Sequence, residues 1–311
     1  MPELIKKTSR KIVTPSFILA NVLFVALLVV IAIPGKVTPA TSIPFYVTAV
    51  IIEALYLWRF FVNDKKPSTS YIVIVVWALL IIWEVCSTDL KITHPVLIPV
   101  PENVFNVFPK LWPELLRNIW SSLTLLFAGF FSAVIAGNIL GMFAGWLPKL
   151  RDTVYPIARA LAPVPAIVFA PYLIMLMPNF RSAAIVAIFL GIFWPTLLNT
   201  ILRVGSMDRR IVESARMMGL STFEIVFKVF LPYMYPGIAT GMKVQMATAM
   251  LMLVMAEMYG ATAGMGYFVL NYTNYGNYTN VVAGIICVGL VVTVLDCLIG
   301  LLIKKTVKWS E

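Results

Sequence analysis

Residues 206–236 read SMDRRIVESARMMGLSTFEIVFKVFLPYMYP and lie between two long apolar runs. The stretch carries dense charge of both signs and its own local signals. Ser206 or Asp208 can cap a helix start. Asp208–Met218 then has the spacing of a short amphipathic helix, with Ile211, Ala215 and Met218 on one face and Arg209, Arg210, Glu213 and Arg216 around the rest. Gly219 follows where a helix C-terminus favours a residue able to turn left-handed. Ser221 and Glu224 have the Ser-x-x-Glu spacing of a capping box, so a second helix begins at once. Phe223, Val226, Phe227 and Phe230 give that helix an apolar face, and Leu231-Pro232 is expected to stop it.

A loop that merely joins two spans does not need two capped helices and a turn glycine. The unit is better read as a docking element for a partner. Its residues also resemble a known pattern. Glu213-Ser214-Ala215, Gly219, Ile225 and Leu231-Pro232 look like the EAA loop of bacterial ATP-binding-cassette (ABC) importer permeases, with Ser214 where alanine is usual. The resemblance implies that Glu213, Ser214, Ala215, Gly219, Ile225, Leu231 and Pro232 couple the chain to an ATPase subunit.

Of 311 residues, 60% are hydrophobic and 12% charged; a soluble domain has about 25% charged residues. The mean hydropathy of +0.92 marks an integral membrane protein. The expected fold class is all-α and polytopic. Each span needs about 20 apolar residues, so about eight fit. The apolar run after basic Met1–Thr14 is of span length and lacks a small-residue cleavage site, so it is read as a retained first helix. The runs place spans at 16–34, 44–63, 71–87, 118–146, 155–178, 181–204, 236–260 and 281–303.

The net charge of +10 fits a membrane protein whose Lys and Arg gather in cytoplasmic loops, and it need not mean nucleic acid. Lys6, Lys7, Arg10, Lys11, Lys65, Lys66, Lys149, Arg151, Arg203, Arg209, Arg210, Arg216, Lys228, Lys304, Lys305 and Lys308 all fall on one side of such a layout. The opposite side carries Lys36, Lys91, Lys110, Arg117 and Arg181. Both termini and the 206–236 segment are therefore expected in the cytoplasm.

Segment 88–117 is read as external: an extended stretch, Ile98-Pro-Val-Pro101, then an amphipathic helix at the interface bearing Phe105, Phe108, Leu111, Trp112 and Leu115. Gly137, Gly141 and Gly145 recur every four residues and smooth one flank for helix packing. Pro163, Pro165 and Pro171 break the fifth span. Irregular backbone at membrane depth survives only inside protein or along a cavity, so these prolines are pathway candidates. Met246 and Met250, in the methionine-rich seventh span, are further candidates; the competing reading is adaptable packing. Tyr267–Asn280 is read as a wet external loop. Glu53, Glu84, Glu257 and Asp296 lie at span depth, where carboxylates usually face protein. For Glu257 and Asp296, structural hydrogen bonding is favoured over solute contact.

Cys86, Cys287 and Cys297 have no metal or disulfide spacing, and His94 is the one histidine. Neither a metal site, a cofactor site nor a catalytic site is expected. No Gly-x-x-x-x-Gly-Lys-Ser/Thr run occurs, so ATP would be hydrolysed by a separate chain. The resemblance covers residues 67–311, a six-helix core preceded by an N-terminal helix pair in 1–66. It is similar to permeases for nitrate, sulfonates and taurine, and so implies a small anionic solute. It also implies an ABC ATPase dimer, a second permease subunit, an extracytoplasmic solute-binding protein and a place in the bacterial inner membrane. A stand-alone secondary transporter or channel is the alternative. It would need inverted halves or ion-coupling charges, and it would leave 206–236 unexplained. A membrane enzyme would need clustered ligands or a nucleophile–base pair.

Overall fold

The computed structural model describes residues 14–306 apart from 40, 63–66, 93 and 95. Lys6, Lys7, Arg10, Lys11, Lys65, Lys66 and Lys308 lie outside the described residues. The described residues up to Trp112, with Tyr272–Ala283, form one compact unit. Pro113–Asn271, with the described residues from Gly284 onward, form another.

The first unit holds α1 (Pro15–Ala32), α2 (Ile43–Val62) and α3 (Pro67–Glu84), the last extended by a wide π turn, Val85–Asp89. Thr14 caps α1 by accepting from the Phe17 N–H. Each helix is apolar all round, yet only one stripe is buried. On α2 that stripe is Phe45, Ala49, Glu53, Tyr56 and Phe60, one residue every three or four. These meet Ala20 and Leu27 of α1 and Trp77 of α3. The opposite stripe of α1, with Val22, Val25 and Val29, is exposed, as suits contact with lipid. Glu53 and Glu84 do face protein: both are buried in this unit.

Helix α4 (Pro101–Trp146) is kinked at Leu111, whose φ −112°, ψ 19° is not helical, so a first helical stretch precedes the long span. Residues 101–112 turn their apolar face inward, burying Val104, Phe105 and Val107, and Phe105 stacks on Phe45 at 4.9 Å. Pro109 and Pro113 flank Leu111, and each withholds one helical N–H, which accounts for the kink.

The second unit centres on α7 (Phe180–Gly205), which Asn179 caps through the Ser182 N–H at 2.9 Å. Around it lie α5 (Pro148–Leu161), α6 (Ala170–Leu176) and α10 (Leu231–Gly260). The glycine flank of α4 also packs on α7. A Cβ built at Gly137, Gly141 or Gly145 would fall 2.9, 2.6 or 2.7 Å from the Cβ of Thr196, Thr200 or Val204. The partners advance together along both chains, so the helices run parallel. The missing side chains let the backbones close up. The glycine repeat is thus used within the chain.

After α10, α11 (Met265–Asn274) and α12 (Tyr278–Thr306) complete the chain. The expected loop at 267–280 is therefore helical up to Asn274, with a tight turn at Gly276 (φ +68°). Polarity alone concealed this helix, because its start is held by side chains from distant segments. Among the described residues, seven helices are long and apolar enough to cross a membrane. The pair Pro148–Leu161 and Ala166–Leu176, bent by 80°, makes an eighth if it is one span.

Candidate functional site

The 206–236 segment folds as its local signals require. The Asp208 carboxylate accepts from the Arg210 N–H at 2.9 Å and starts α8 (Arg209–Met217). The helix ends in a Schellman turn: the Gly219 N–H donates to the Arg216 carbonyl at 2.9 Å, and the Leu220 N–H to the Ala215 carbonyl at 3.4 Å. Gly219 sits at φ +71°. The capping box then closes. The Ser221 N–H donates to Glu224 Oε2 at 3.0 Å, and the Glu224 N–H donates to Ser221 Oγ at 3.4 Å. Lys228 adds an ion pair to Glu224 at 2.8 Å. That hydrogen bond from Lys228, then those from Ser221, hold the exposed Glu224 carboxyl at about 2, so it stays ionised at any physiological pH.

Leu231-Pro232 does not end the second helix. Thr222–Glu224 (α9), a π-helical turn Ile225–Phe230 and α10 run on without interruption. A proline ring clashes with the carbonyl four residues back and offers no N–H. The wider π turn ahead of Pro232 relieves both problems, so the chain enters its span without a break.

The underside of the segment is a packed core. Ala215, Ile225, Val226 and Phe230 are buried with Met142, and Leu220 and Leu231 pack against them. Trp146 meets Phe230 edge-on at 5.3 Å, and the Arg216 guanidinium stands 4.7 Å over the Trp146 ring. Of the seven residues assigned to coupling, Ala215, Ile225 and Leu231 thus form the platform and Gly219 its turn. Glu213, Ser214 and Pro232 are exposed. The outer face also carries Met217, Met218 and Phe223, exposed by 88%, 76% and 64%. Met218 was expected on the inner face with Ile211 and Ala215. The Schellman turn removes it, because the helix closes at Met217 and Leu220 takes the inward place. The adjacent pair Met217-Met218 was the available signal, since two neighbours on a helix cannot share one buried stripe.

The pathway candidates divide. Pro163 and Pro165 are exposed at the break between α5 and a 3₁₀ turn, Ala166–Phe169, and Pro171 is exposed in the first turn of α6. Met246 and Met250 are buried with Phe130, Ile188 and Leu253. Exposed positions on α10 are instead Val244, Leu251 and Met255.

Glu257 is buried and accepts from Ser122 Oγ at 2.5 Å and the Gly266 N–H at 2.7 Å. The neighbouring N–H groups of Gly264 and Met265 donate to Asn118 Oδ1 at 2.9 Å and Ser122 Oγ at 2.8 Å. Three successive donors at the start of α11 are therefore satisfied by α4 and α10. Asp296 pairs with Lys243 at 3.0 Å. Both carboxylates hold helices together, as the sequence favoured. Among the described residues, no group of three potential metal ligands occurs.

A family described as "binding-protein-dependent transport system inner membrane component" matches residues 137–308. The nitrate import permease protein NrtB of Leptolyngbya laminosa is 32% identical over 189 residues, covering 61% of this chain and 68% of that protein. The taurine transport system permease protein TauC of Escherichia coli (strain K12) is 26% identical, covering 74% and 86%. Among solved structures, an inward-facing form of the MetNI methionine ABC transporter shares the fold. Its TM-score is 0.52 at 21% identity, over 63% of this chain and 97% of that one.

Proposed function

The chain belongs to the family of binding-protein-dependent transport system inner membrane components, the permeases of ABC importers, and from this premise we propose that it passes a small anionic solute under the drive of a separate ATPase. The observation that carries the reading is the capped helix–Gly–helix unit. Its inner face is locked to α4, while its outer face exposes Glu213, Ser214, Met217 and Met218, with Phe223 exposed beside the Phe143 and Phe227 rings. Exposed methionines and an aromatic on a rigid frame suit a protein partner. The sequence offers no phosphate-binding loop of its own.

In this reading an ATPase dimer grips two permease subunits, each presenting its 206–236 unit, and an extracytoplasmic binding protein delivers the solute. Residues 67–311 form the permease core, and residues 1–66 supply two additional N-terminal helices. Nitrate and taurine, named for two relatives, set the solute class: a compact oxyanion or sulfonate. Purifying the tagged chain from its host tests this. An ATPase of the cassette type should accompany it, and deletion of the gene should abolish uptake of a labelled anion from a nitrate and sulfonate panel. A chain that purifies alone and transports without ATP would refute the proposal.

The passage, we further propose, is walled by the broken segment Pro163–Pro171 and the exposed side of α10, with Met246 and Met250 as the yielding layer behind it. Both termini lie in the cytoplasm. Single cysteines at Val168 (68% exposed) and Lys305, in a chain cleared of native cysteines, read both claims. Val168→Cys should react with small polar thiol reagents in the resting or the nucleotide-trapped state. Lys305→Cys should react with an impermeant reagent from the cytoplasmic side alone. Silence at the first or external labelling at the second would reject the corresponding claim.

A further inference from the structure

Facing stripes of α7 and α10 line an open polar cavity of about 40 Å³, where Asn199 and Arg203 are exposed. Helix α7 contributes Thr196, Asn199 and Arg203, and α10 contributes Gly237, Gly241 and Gln245. The stripes run antiparallel: Gln245 Nε2 donates to Thr196 Oγ1 at 3.0 Å at one end, and Gly237 lies against the Arg203 guanidinium at the other. We propose that this cavity is a binding station for one small oxyanion, with Arg203 as its cation and the amides of Asn199 and Gln245 as neutral donors. The inference rests on the permease reading and assigns that passage a site.

The charge of the lining favours an anion, since Arg203 is its charged group. Both nearby threonine hydroxyls have spent their protons, Thr196 on the Ile192 carbonyl at 2.6 Å and Thr200 on Asn138 Oδ1 at 3.0 Å. The Asn138 amide in turn donates to the Val134 carbonyl at 2.8 Å. The side chains left are the Arg203 guanidinium, a donor only, and the Asn199 and Gln245 amides, each with an N–H donor and an acceptor oxygen. Among the described residues no carboxylate lines the cavity. Among the described residues Arg203 makes no ion pair. A guanidinium stays charged and seeks an oxyanion partner. The glycines set the room. A side chain at Gly237 would collide with Arg203, whereas a Cβ at Gly241 meets nothing within 4 Å. The volume exceeds what one water needs and suits a trigonal or tetrahedral oxyanion head rather than a large solute.

The position also links the station to the docking unit. Arg203 lies three residues before Ser206, and Gly237 directly follows Pro236. The two ends of the 206–236 unit therefore meet at the cavity. Any displacement of that unit against the spans changes the distance between Arg203 and the glycine stripe, and with it the hold on an anion.

The test uses the full chain, purified with whatever accompanies it, in nanodiscs of neutral phospholipid. Native cysteines are removed and Gly241→Cys is introduced, where the space is open. Anionic and cationic methanethiosulfonates are then compared. One nearby guanidinium should favour the anionic reagent about tenfold, and Arg203→Gln should erase that preference. Nitrate, and separately methanesulfonate, should slow labelling several-fold with Arg203 present and not with Arg203→Gln. Absence of protection by either anion, or protection that persists in Arg203→Gln, overturns the proposal. Protection that requires phosphatidylglycerol without added anion gives the site to a lipid headgroup and also overturns it. Labelling is read on this chain itself, so the outcome is independent of whether an ATPase co-purifies, which tests the permease reading.

Discussion

Gly219→Val should leave the protein inserted in the membrane and yet cut solute uptake tenfold or more, with weakened retention of the ATPase. The reason is confined to one dihedral angle. Gly219 holds φ +71°, and a Cβ added there would touch nothing within 4 Å, so no packing clash contributes. A side chain in the left-handed region costs about 1–2 kcal/mol, more for a β-branched one. The Schellman turn between α8 and the capping box can relax that cost only by giving up the Gly219 and Leu220 hydrogen bonds. Leu220 would then leave the platform and swing Glu213, Ser214, Met217 and Met218 away from the face they share with Phe223. Insertion would be unaffected, since α7 and α10 pack on α4 and on each other through a core that excludes the turn, while their ends at Val204, Leu231 and Met234 share its core. Gly219→Asn, which tolerates the left-handed region, should retain most activity. Expression, ATPase co-purification and uptake are measured together on both variants. Full uptake by Gly219→Val would show that the segment is a linker and would remove the main support for coupling through it.

Glu257→Ala should lower the thermal stability of the purified chain more than any other single carboxylate removal in its unit. The carboxylate is buried, and its loss strands the Ser122 hydroxyl and the Gly266 N–H. An unsatisfied buried donor costs about 1–3 kcal/mol, and hydrogen bonds to a charged group are worth about 1.5–3 kcal/mol. A loss of about 2–4 kcal/mol follows, after partial rearrangement. Gln should be milder, because its carbonyl still serves Gly266 and its amide can donate to Ser122. Asp296→Ala is the comparison: the Lys243 pair is half exposed, and exposed pairs contribute about 0–1 kcal/mol. Melting in detergent, followed by size-exclusion chromatography, ranks the three variants. If Glu257→Ala melts with the parent, the start of α11 is held by something other than this network.

The sequence by itself determined where the long apolar helices lie, though not α11 or the passage through Pro232, and how the docking unit is capped. A span is announced by the length of an apolar run. A cap, a turn glycine and a capping box are set by atoms within a few residues, so Asp208, Gly219, Ser221 and Glu224 were legible one by one. The sequence could not say which side of each span faces protein. Lipid is as apolar as a core, so α1 and α10 are hydrophobic around their whole circumference and their patterns carry no inward stripe. Only the tertiary structure decided that Met246 and Met250 are buried while Val244 and Leu251 are surface. It alone showed that a π turn carries the chain past Pro232. It alone placed Arg203 against Gly237 and Glu257 beneath Gly266. Those contacts join residues far apart along the chain, and local rules have no term for a partner that only folding brings near.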